Sequence, residues 1–304
     1  MVTVYRPDTL EQALDKLAVG EHTLFSGGTD LMVRHSARPG ITPDFIHDVV
    51  FLDAIEELQH ITLIELESDL GTESGLQSGL YQSGLCQSGL CIGAGVSLHD
   101  IEINPLVPDV LRQSVANIAA PALRNRATMA GNICNASPAA DSLPALYLLD
   151  AKLVLSSIHG QREMPIANFI TGPGRTCLDQ GEVLTHVVIP KADLPVTFYH
   201  KVGTRAANAL TKLSVAGLAK VEQGKVVDWR VAFGAVGPTV VRSTVLEQKI
   251  IGQPVEMLRE PLFIENILSG YSKVICPIDD QRSTAQYRHR ASLNLLERWL
   301  TQLA

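Results

Sequence analysis

Apolar residues recur at helical spacing near the start of the chain. One face of residues 7–19 carries four of them: Leu10, Ala13, Leu14 and Leu17. This spacing predicts a helix, for which Asp8 is available as a cap. The helix should lead into a buried strand that ends at residue 25. A second helix over residues 32–38 and a strand over residues 45–50 then complete a small β-α-β unit.

The middle of the chain combines alternating apolar stretches with one amphipathic helix. Residues 60–66 and 90–94 should form two strands that pair as a hairpin, and residues 151–157 and 183–189 predict two further strands. Residues 110–118 carry apolar positions at helical spacing. This part of the chain is therefore predicted to be a mixed α and β unit.

The connection within the predicted hairpin contains an internal repeat. The triplet Ser-Gly-Leu occurs four times between residues 74 and 90. With one apolar residue and one glycine per triplet, the repeat predicts an extended and mobile hairpin tip. Cys86 and Cys91 lie at its end, but an iron–sulfur cluster takes four thiolates. We expect no metal there.

Residues 190–195 are the best candidate for a domain boundary. Beyond them, strands and then a closing run of helices are predicted over residues 197–202, 214–222, 225–236 and from 254 onward. The last helix, over residues 287–303, carries four leucines on one face: Leu293, Leu296, Leu300 and Leu303. The pattern indicates a smaller α+β domain whose last helix packs in a core or an interface.

Composition excludes several classes of protein. The chain has 304 residues, of which 46% are hydrophobic, and its net charge is −7. It is long enough for two or three structural units, and it has no basic surplus that would hold nucleic acid. No apolar run approaches the roughly 20 residues needed to span a bilayer, and the N-terminus lacks a signal sequence. Five scattered cysteines do not form a disulfide framework, and we expect a cytoplasmic protein.

Two stretches of small residues are candidates for a binding site. Residues 127–141 are almost all small or hydrogen-bonding, which lets a ligand approach backbone N–H donors. Residues 24–31 read Leu-Phe-Ser-Gly-Gly-Thr-Asp-Leu, in which two glycines follow a strand and Thr29 and Asp30 can open a helix. Neither stretch contains the dinucleotide fingerprint Gly-x-Gly-x-x-Gly, so a Rossmann NAD site is not supported.

Together the two motifs resemble one family. Ser-Gly-Gly-Thr-Asp-Leu at residues 26–31, followed by Ala-Thr-Met-Ala-Gly-Asn-Ile-Cys-Asn-Ala-Ser-Pro-Ala-Ala-Asp-Ser-Leu at residues 127–143, is similar to the FAD-binding medium subunit of the molybdenum hydroxylases. Xanthine dehydrogenase, carbon monoxide dehydrogenase and nicotinate dehydrogenase belong to this family. The family usually has Gly-Gly-Asn where this chain has Ala130-Gly131-Asn132. The extra methyl group is tolerable if Ala130 keeps a negative φ.

The resemblance implies a fold and a domain organisation. The fold class is α+β: a two-subdomain FAD-binding domain of the vanillyl-alcohol-oxidase or PCMH type, followed by a smaller α+β C-terminal domain. The implied limits are residues 1–54 and 55–192 for the two FAD-binding subdomains and residues 193–304 for the C-terminal domain.

The resemblance also implies which residues bind FAD. The two loops should hold the pyrophosphate, Asp141 should accept a hydrogen bond from the ribose or adenine side, and Lys201 should lie near the isoalloxazine or the ribityl chain. Ile118 and Leu184 should pack against the flavin. The complete implied set is Phe25, Ser26, Gly27, Gly28, Thr29, Asp30, Leu31, Ile118, Thr128, Gly131, Asn132, Asp141, Leu184 and Lys201. We expect no catalytic acid or base and no metal ligand, because the flavin supplies the chemistry.

In such a family the chain would be an electron-transfer subunit of a xanthine dehydrogenase-like complex. Its implied partners are a large subunit with the molybdopterin cofactor and a small subunit with two [2Fe–2S] clusters, since five cysteines cannot supply the eight ligands of both clusters. The implied electron acceptor is NAD+. Two alternatives stay open: a stand-alone FAD oxidase of the same flavin fold, in which a histidine tethers the flavin, and a flavin-free assembly protein.

Overall fold

The computed structural model describes residues 2–35, 40, 42–64 and 88–304. Within these ranges the strands form three main sheets and one two-stranded ribbon. The first three Ser-Gly-Leu triplets and Cys86 lie outside the described residues. No helix of the described part is long and apolar enough to cross a membrane.

The N-terminal sheet is parallel and has three strands. Its elements are β1 (Val4–Tyr5), α1 (Leu10–Ala18), β2 (His22–Phe25), α2 (Leu31–His35) and β3 (Asp48–Phe51). Strand β3 lies between β1 and β2 and pairs parallel to both, which confirms the β-α-β unit. The cap of α1 was predicted wrongly: the Thr9 side chain, and not that of Asp8, accepts from the Gln12 N–H. Strand β3 also begins three residues later than expected.

The middle of the chain builds a five-stranded antiparallel sheet with the strand order β4-β5-β10-β6-β7. Its elements are β4 (Ile61–Ile64), β5 (Gly89–Gly93), α3 (Leu98–Ile103), α4 (Asp109–Ala116), α5 (Pro121–Arg124), α6 (Met129–Cys134), α7 (Ser142–Leu148), β6 (Lys152–Ser157), β7 (Gly160–Pro165), α8 (Ile166–Phe169), β8 (Ile170–Gly172), β9 (Arg175–Thr176) and β10 (Val183–Pro190). The predicted hairpin of β4 and β5 and the strands β6 and β10 are confirmed.

Helix α7 is buried along its whole length, and it packs against the C-terminal sheet. Two arginines from that sheet close its C-terminal end. Arg230 Nη1 donates to the Leu148 carbonyl at 2.7 Å and Arg242 Nη1 to the Tyr147 carbonyl at 2.5 Å, and both pair with Asp150 at 2.6 Å. Cations near a helix C-terminus are favourable because they satisfy its last carbonyls and complement its dipole.

The C-terminal part forms a four-stranded antiparallel sheet with the order β11-β12-β13-β14. Its elements are β11 (Val196–Val202), β12 (Leu213–Glu222), β13 (Lys225–Gly234), β14 (Val241–Arg242), α9 (Thr244–Glu247), a 3₁₀ helix (Val255–Arg259), α10 (Pro261–Ser272) and α11 (Ala285–Gln302). Strand β12 is buried on both faces: Val215 and Ala219 join the core under α11, and Ala216 and Leu218 join the core around α7.

The buried face of α11 differs from the predicted leucine stripe. Leu296 and Leu300 are buried as expected, but Leu293 and Leu303 are only partly buried. Trp299 replaces them, stacking near Phe198 and Trp229 with ring centroids 5.5 and 6.3 Å away. The chain between β10 and β11 is irregular, and the domain limits given above stay a prediction.

The burial of His186 in β10 should make the stability of the fold depend on pH. Burial lowers the pKa of His186 to about 4, so the folded chain holds this ring neutral while the unfolded chain protonates it near its ordinary pKa. Above the pKa that the histidine has in the unfolded chain, about 6.5, its burial should cost no stability. As the pH decreases from about 6.5 towards 4, the unfolding free energy should fall, with roughly 2 kcal/mol lost by about pH 5. Urea unfolding at several pH values measures this loss. His186→Gln should remove it, and the same change at exposed His159 should not.

Candidate cofactor-binding site

The two small-residue motifs meet in the structure. The Ser26 and Thr128 hydroxyl oxygens are 3.1 Å apart and join positions separated by 102 residues. Beside them, a Cβ built on Gly27 would lie 2.0 Å from the Arg126 carbonyl oxygen. No side chain fits in that space. Glycine at position 27 is therefore what allows the first loop to lie against the backbone of the second.

Gly28 is required for a different reason. Its φ is +69°, and a Cβ there would lie 2.1 Å from the Phe25 ring. The Phe25 ring in turn stacks on Phe51 with centroids 4.2 Å apart, and Phe25 is 7% exposed. Phe25 thus supports the turn from below and does not line the cleft above it.

A cleft of about 320 Å³ opens between the two loops. Ten of the fourteen implied residues line it: Ser26, Gly27, Gly28, Thr29, Asp30, Leu31, Thr128, Gly131, Asn132 and Leu184. An apolar wall completes the cleft. Leu24 and Ala127 belong to the two predicted stretches, whereas the sequence did not indicate the others: Leu52, Leu58, Ala94, Leu178 and Val183. Of the polar lining residues, Arg34 lies outside both stretches, and Asn135 belongs to the second stretch but was not in the implied set.

The first loop presents unused hydrogen-bond donors. In the part of the chain that the structure describes, the backbone N–H groups of residues 27–31 have no acceptor, and helical bonding begins with Met32 N–H to the Gly28 carbonyl at 3.0 Å. In the second loop, Thr128 Oγ1 accepts from the Gly131 N–H at 3.2 Å and thereby caps α6. Successive free N–H groups in a turn form an anion-binding concavity, suited to a phosphate.

The departure from the family motif at Ala130 is accommodated. Ala130 lies in α6, it is 7% exposed, and it is not among the residues with a positive φ. Its methyl group therefore forms part of the cleft wall without backbone strain.

A second group of implied residues lies outside the cleft lining. Asp141 is 5% exposed and accepts from Lys201 Nζ at 2.8 Å and from Thr211 Oγ1 at 2.8 and 2.9 Å. Lys201 Nζ also donates to the Asn117 carbonyl at 2.7 Å, next to Ile118. The carboxylate that was expected to accept from a ribose or an amine is thus occupied within the protein. A direct cofactor contact of Ile118, Asp141 or Lys201 stays a prediction.

Burial dominates the electrostatics of this group. It raises the pKa of Asp141, against the opposing effect of Lys201 and Thr211. Burial and the neighbouring Asp141 carboxylate likewise raise the pKa of Tyr199 well above its usual value. The pair of Asp141 and Lys201 therefore has little freedom to change partners, since breaking it would leave a buried charge.

One hydrogen bond connects this group to the cleft. Ser142 Oγ donates to Asn132 Oδ1 at 2.5 Å, and Ser142 directly follows Asp141. Asn132 lines the cleft. The position of the Asn132 side chain therefore depends on the segment that Lys201 and Thr211 hold in place.

A second cavity, of about 490 Å³, lies next to the first. Ser26, Gly27 and Thr128 line both, so the two cavities meet at the glycine contact. The second cavity is polar and includes His99 and Arg126. A ligand would suit this arrangement if its charged middle lay at the glycine contact and one end group lay in each cavity.

The cleft contains no evident nucleophile or metal site. Burial raises the pKa of Cys134, which lines the cleft, to about 12, so its thiol is protonated at neutral pH and unreactive. Within the described ranges, no three His, Cys, Asp or Glu residues are grouped so that they could hold a metal ion.

Comparison with known proteins adds two family matches. Residues 79–192 match the model described as the FAD binding domain in molybdopterin dehydrogenase, and residues 198–303 match the CO dehydrogenase flavoprotein C-terminal domain. The glyceraldehyde dehydrogenase medium chain of Sulfolobus acidocaldarius is 29% identical over 93% of this chain and 91% of its own length. The xanthine dehydrogenase FAD-binding subunit of Escherichia coli O157:H7 is 27% identical over 93% of this chain and 89% of its own length.

A solved structure supports the same fold. Carbon monoxide dehydrogenase from Hydrogenophaga pseudoflava contains a chain that superposes with a TM-score of 0.80 at 23% identity, over 98% of this chain and 95% of that one. This likeness shows the two-part α+β architecture.

The fold and the two matched domains define a flavoprotein whose cofactor is FAD. The cleft between the two loops fits that cofactor, because the glycine contacts leave room for a diphosphate and the free N–H groups provide donors for it. The chain belongs to the family of FAD-binding medium subunits of molybdenum hydroxylases, which are dehydrogenases of the xanthine and carbon monoxide dehydrogenase type.

Replacing Gly27 by alanine should separate the two loops. The added Cβ would overlap the Arg126 carbonyl oxygen, so we expect a loss of about 1–3 kcal/mol in unfolding free energy and poor retention of FAD. Urea unfolding and the flavin absorbance of the purified protein measure both. Gly20→Ala is the matched control, because its nearest neighbour is His22 Cε1 at 3.9 Å. A normal flavin content in the Gly27 variant would contradict the close contact.

Replacing Lys201 by methionine should destabilise the chain by about 3–5 kcal/mol, because it leaves the Asp141 carboxylate buried without its counter-charge. The double variant Lys201→Met/Asp141→Asn should recover much of the loss in urea unfolding. Lys220→Met on β12 is the control and should change little, since its partners Asp193 and Glu222 are exposed. Equal losses for Lys201→Met and Lys220→Met would contradict the buried pair.

Proposed function

We propose that this chain is the FAD-carrying electron-transfer subunit of a xanthine dehydrogenase-like molybdenum hydroxylase complex. In this proposal it receives electrons from [2Fe–2S] clusters on a small partner subunit, the large partner subunit carries the molybdopterin cofactor, and NAD+ is the acceptor. The observation that carries the proposal is that residues 27–31, whose backbone N–H groups have no acceptor among the described residues, line a cleft that two distant motifs form. The relatives named as a medium chain and as an FAD-binding subunit support it.

The implied residues fall into two roles in this proposal. The flavin, when bound, supplies the hydride and electron transfer, so the protein only needs to bind and orient it. Residues 26–31 and 128–132 would hold the diphosphate through backbone donors, and Leu184 would pack against a ring system. Phe25 supports the turn, while Asp141 and Lys201 fix the segments around Asn132 and Ile118.

The cysteine count agrees with a subunit that works in a complex. Five cysteines are too few to ligate two [2Fe–2S] clusters, so those clusters would belong to another subunit. We propose a cytoplasmic location and the domain limits 1–54, 55–192 and 193–304 given above.

The absorption spectrum of the purified chain tests the cofactor assignment. We expect flavin bands, and we expect filtration of the denatured protein to release all of the colour, because no covalent link is needed. Anaerobic addition of NADH should bleach the bands and thereby test the acceptor. Colourless protein that does not take up added FAD would contradict the proposal. Flavin that stays with the denatured chain would instead favour a tethered oxidase, and His99 in the second cavity would be the first residue to replace.

A further inference from the structure

Arg34 joins the two halves of the cleft at its rim. Its Nε lies 2.7 Å from Asp30 Oδ2, and its Nη2 donates to the Asn135 side-chain oxygen. Asp30 belongs to the first loop, whereas Asn135 caps the C-terminal end of α6 in the second motif. Arg34 therefore ties two segments that are 101 positions apart, in parallel with the deeper contact between Ser26 and Thr128.

Arg34 also differs from the other residues of the cleft in its charge. Among the described residues that line the cleft, Arg34 is the one cationic side chain and Asp30 the one carboxylate. An anionic ligand bound beside Asp30 would be repelled unless that carboxylate were neutralised. The ion pair itself contributes little to stability, because both side chains are 55% exposed. Stability of the fold thus does not account for the position of Arg34.

Helix geometry directs the side chain towards the donors. Cα–Cβ bonds in an α-helix tilt towards its N-terminus, so Arg34 in α2 leans back over the turn that precedes the helix. That turn carries the unpartnered N–H groups of residues 27–31. A guanidinium has five N–H donors in a planar fork that matches two phosphate oxygens, and only two of its nitrogens are engaged with Asp30 and Asn135.

We propose that Arg34 is the cationic clasp of the cleft: it recognises the phosphate groups of the cofactor, and through Asn135 it ties α2 to α6 across the bound ligand. The inference rests on the proposed function, because it takes FAD as the ligand. The backbone N–H groups provide only partial charges, so Arg34 supplies the full positive charge that distinguishes a phosphorylated flavin from an uncharged one. Asp30 holds the guanidinium in place before the ligand binds.

Flavin titrations of the full-length chain, stripped of its cofactor, test this role. FAD and riboflavin share the ring system, but only FAD carries the diphosphate. Arg34→Gln should raise the Kd for FAD by about 10- to 100-fold, the effect of losing a charge-assisted hydrogen bond, and should leave the Kd for riboflavin nearly unchanged. It should also weaken the salt dependence of FAD binding, because one cation fewer meets the phosphates.

Two further variants separate the effect of the positive charge of Arg34 from the effect of its hydrogen bond to Asn135. Arg34→Lys keeps the charge but loses the fork, so its Kd for FAD should lie between those of the original chain and Arg34→Gln. Asn135→Ala should increase the dissociation rate of FAD several-fold while the salt dependence stays the same. Arg112→Gln is the matched control, since Arg112 is likewise a helical arginine that pairs with a nearby acidic residue, Asp109, away from the cleft. It should change neither Kd.

The outcomes distinguish this inference from the proposed function. If the original chain binds no FAD, the proposed function fails before any variant is compared. If it binds FAD and Arg34→Gln binds FAD equally well, or loses FAD and riboflavin to the same extent, the clasp is overturned. Should Arg34→Gln not fold, Arg34→Lys and Asn135→Ala decide: unchanged FAD affinity and dissociation rate in both would overturn it.

Discussion

The contact between Gly27 and the Arg126 carbonyl is the constraint on which the site depends. A main-chain approach with no room for a side chain brings together two segments that the sequence separates by about 100 positions. The first loop, with its free N–H groups, and α6 then line one cleft, and apolar residues from neighbouring strands and loops complete its wall. The cleft thus combines backbone donors on one side with apolar side chains on the other, so an anionic group can be bound there without a cluster of lysines.

A second constraint acts on the position of this backbone. The buried pair of Asp141 and Lys201 connects the C-terminal sheet to the start of α7 and to the end of α4, and Ser142 passes that connection on to Asn132. Since a buried ion pair is costly to break, these segments have one arrangement and not several. The C-terminal domain therefore takes part in shaping the cleft, although no residue of it lines the cleft.

Much of the fold was predictable, because hydrophobic alternation and helical spacing identify strands such as β6, β10 and β12. The edge strand β7 was not, since its polar residues Gln161, Arg162 and Glu163 form no alternating apolar pattern. The glycine loops were recognisable as motifs. The partners of Asp141 were not: Thr211 lies 70 positions away, and no local signal connects the two. Arg34 could have been noticed, because it stands four residues after Asp30 on a predicted helix.

Helix α7 is held at both ends by the same neighbour. Lys201 and Thr211 bind Asp141 at its start, and Arg230 and Arg242 bind the last carbonyls at its end. The two matched domains are therefore not interchangeable modules, even though each has its own family model. A chimaera that joined this flavin-binding half to the C-terminal half of a relative would need all four of these side chains in register, or it would leave the Asp141 carboxylate and the end of α7 unsatisfied in its interior.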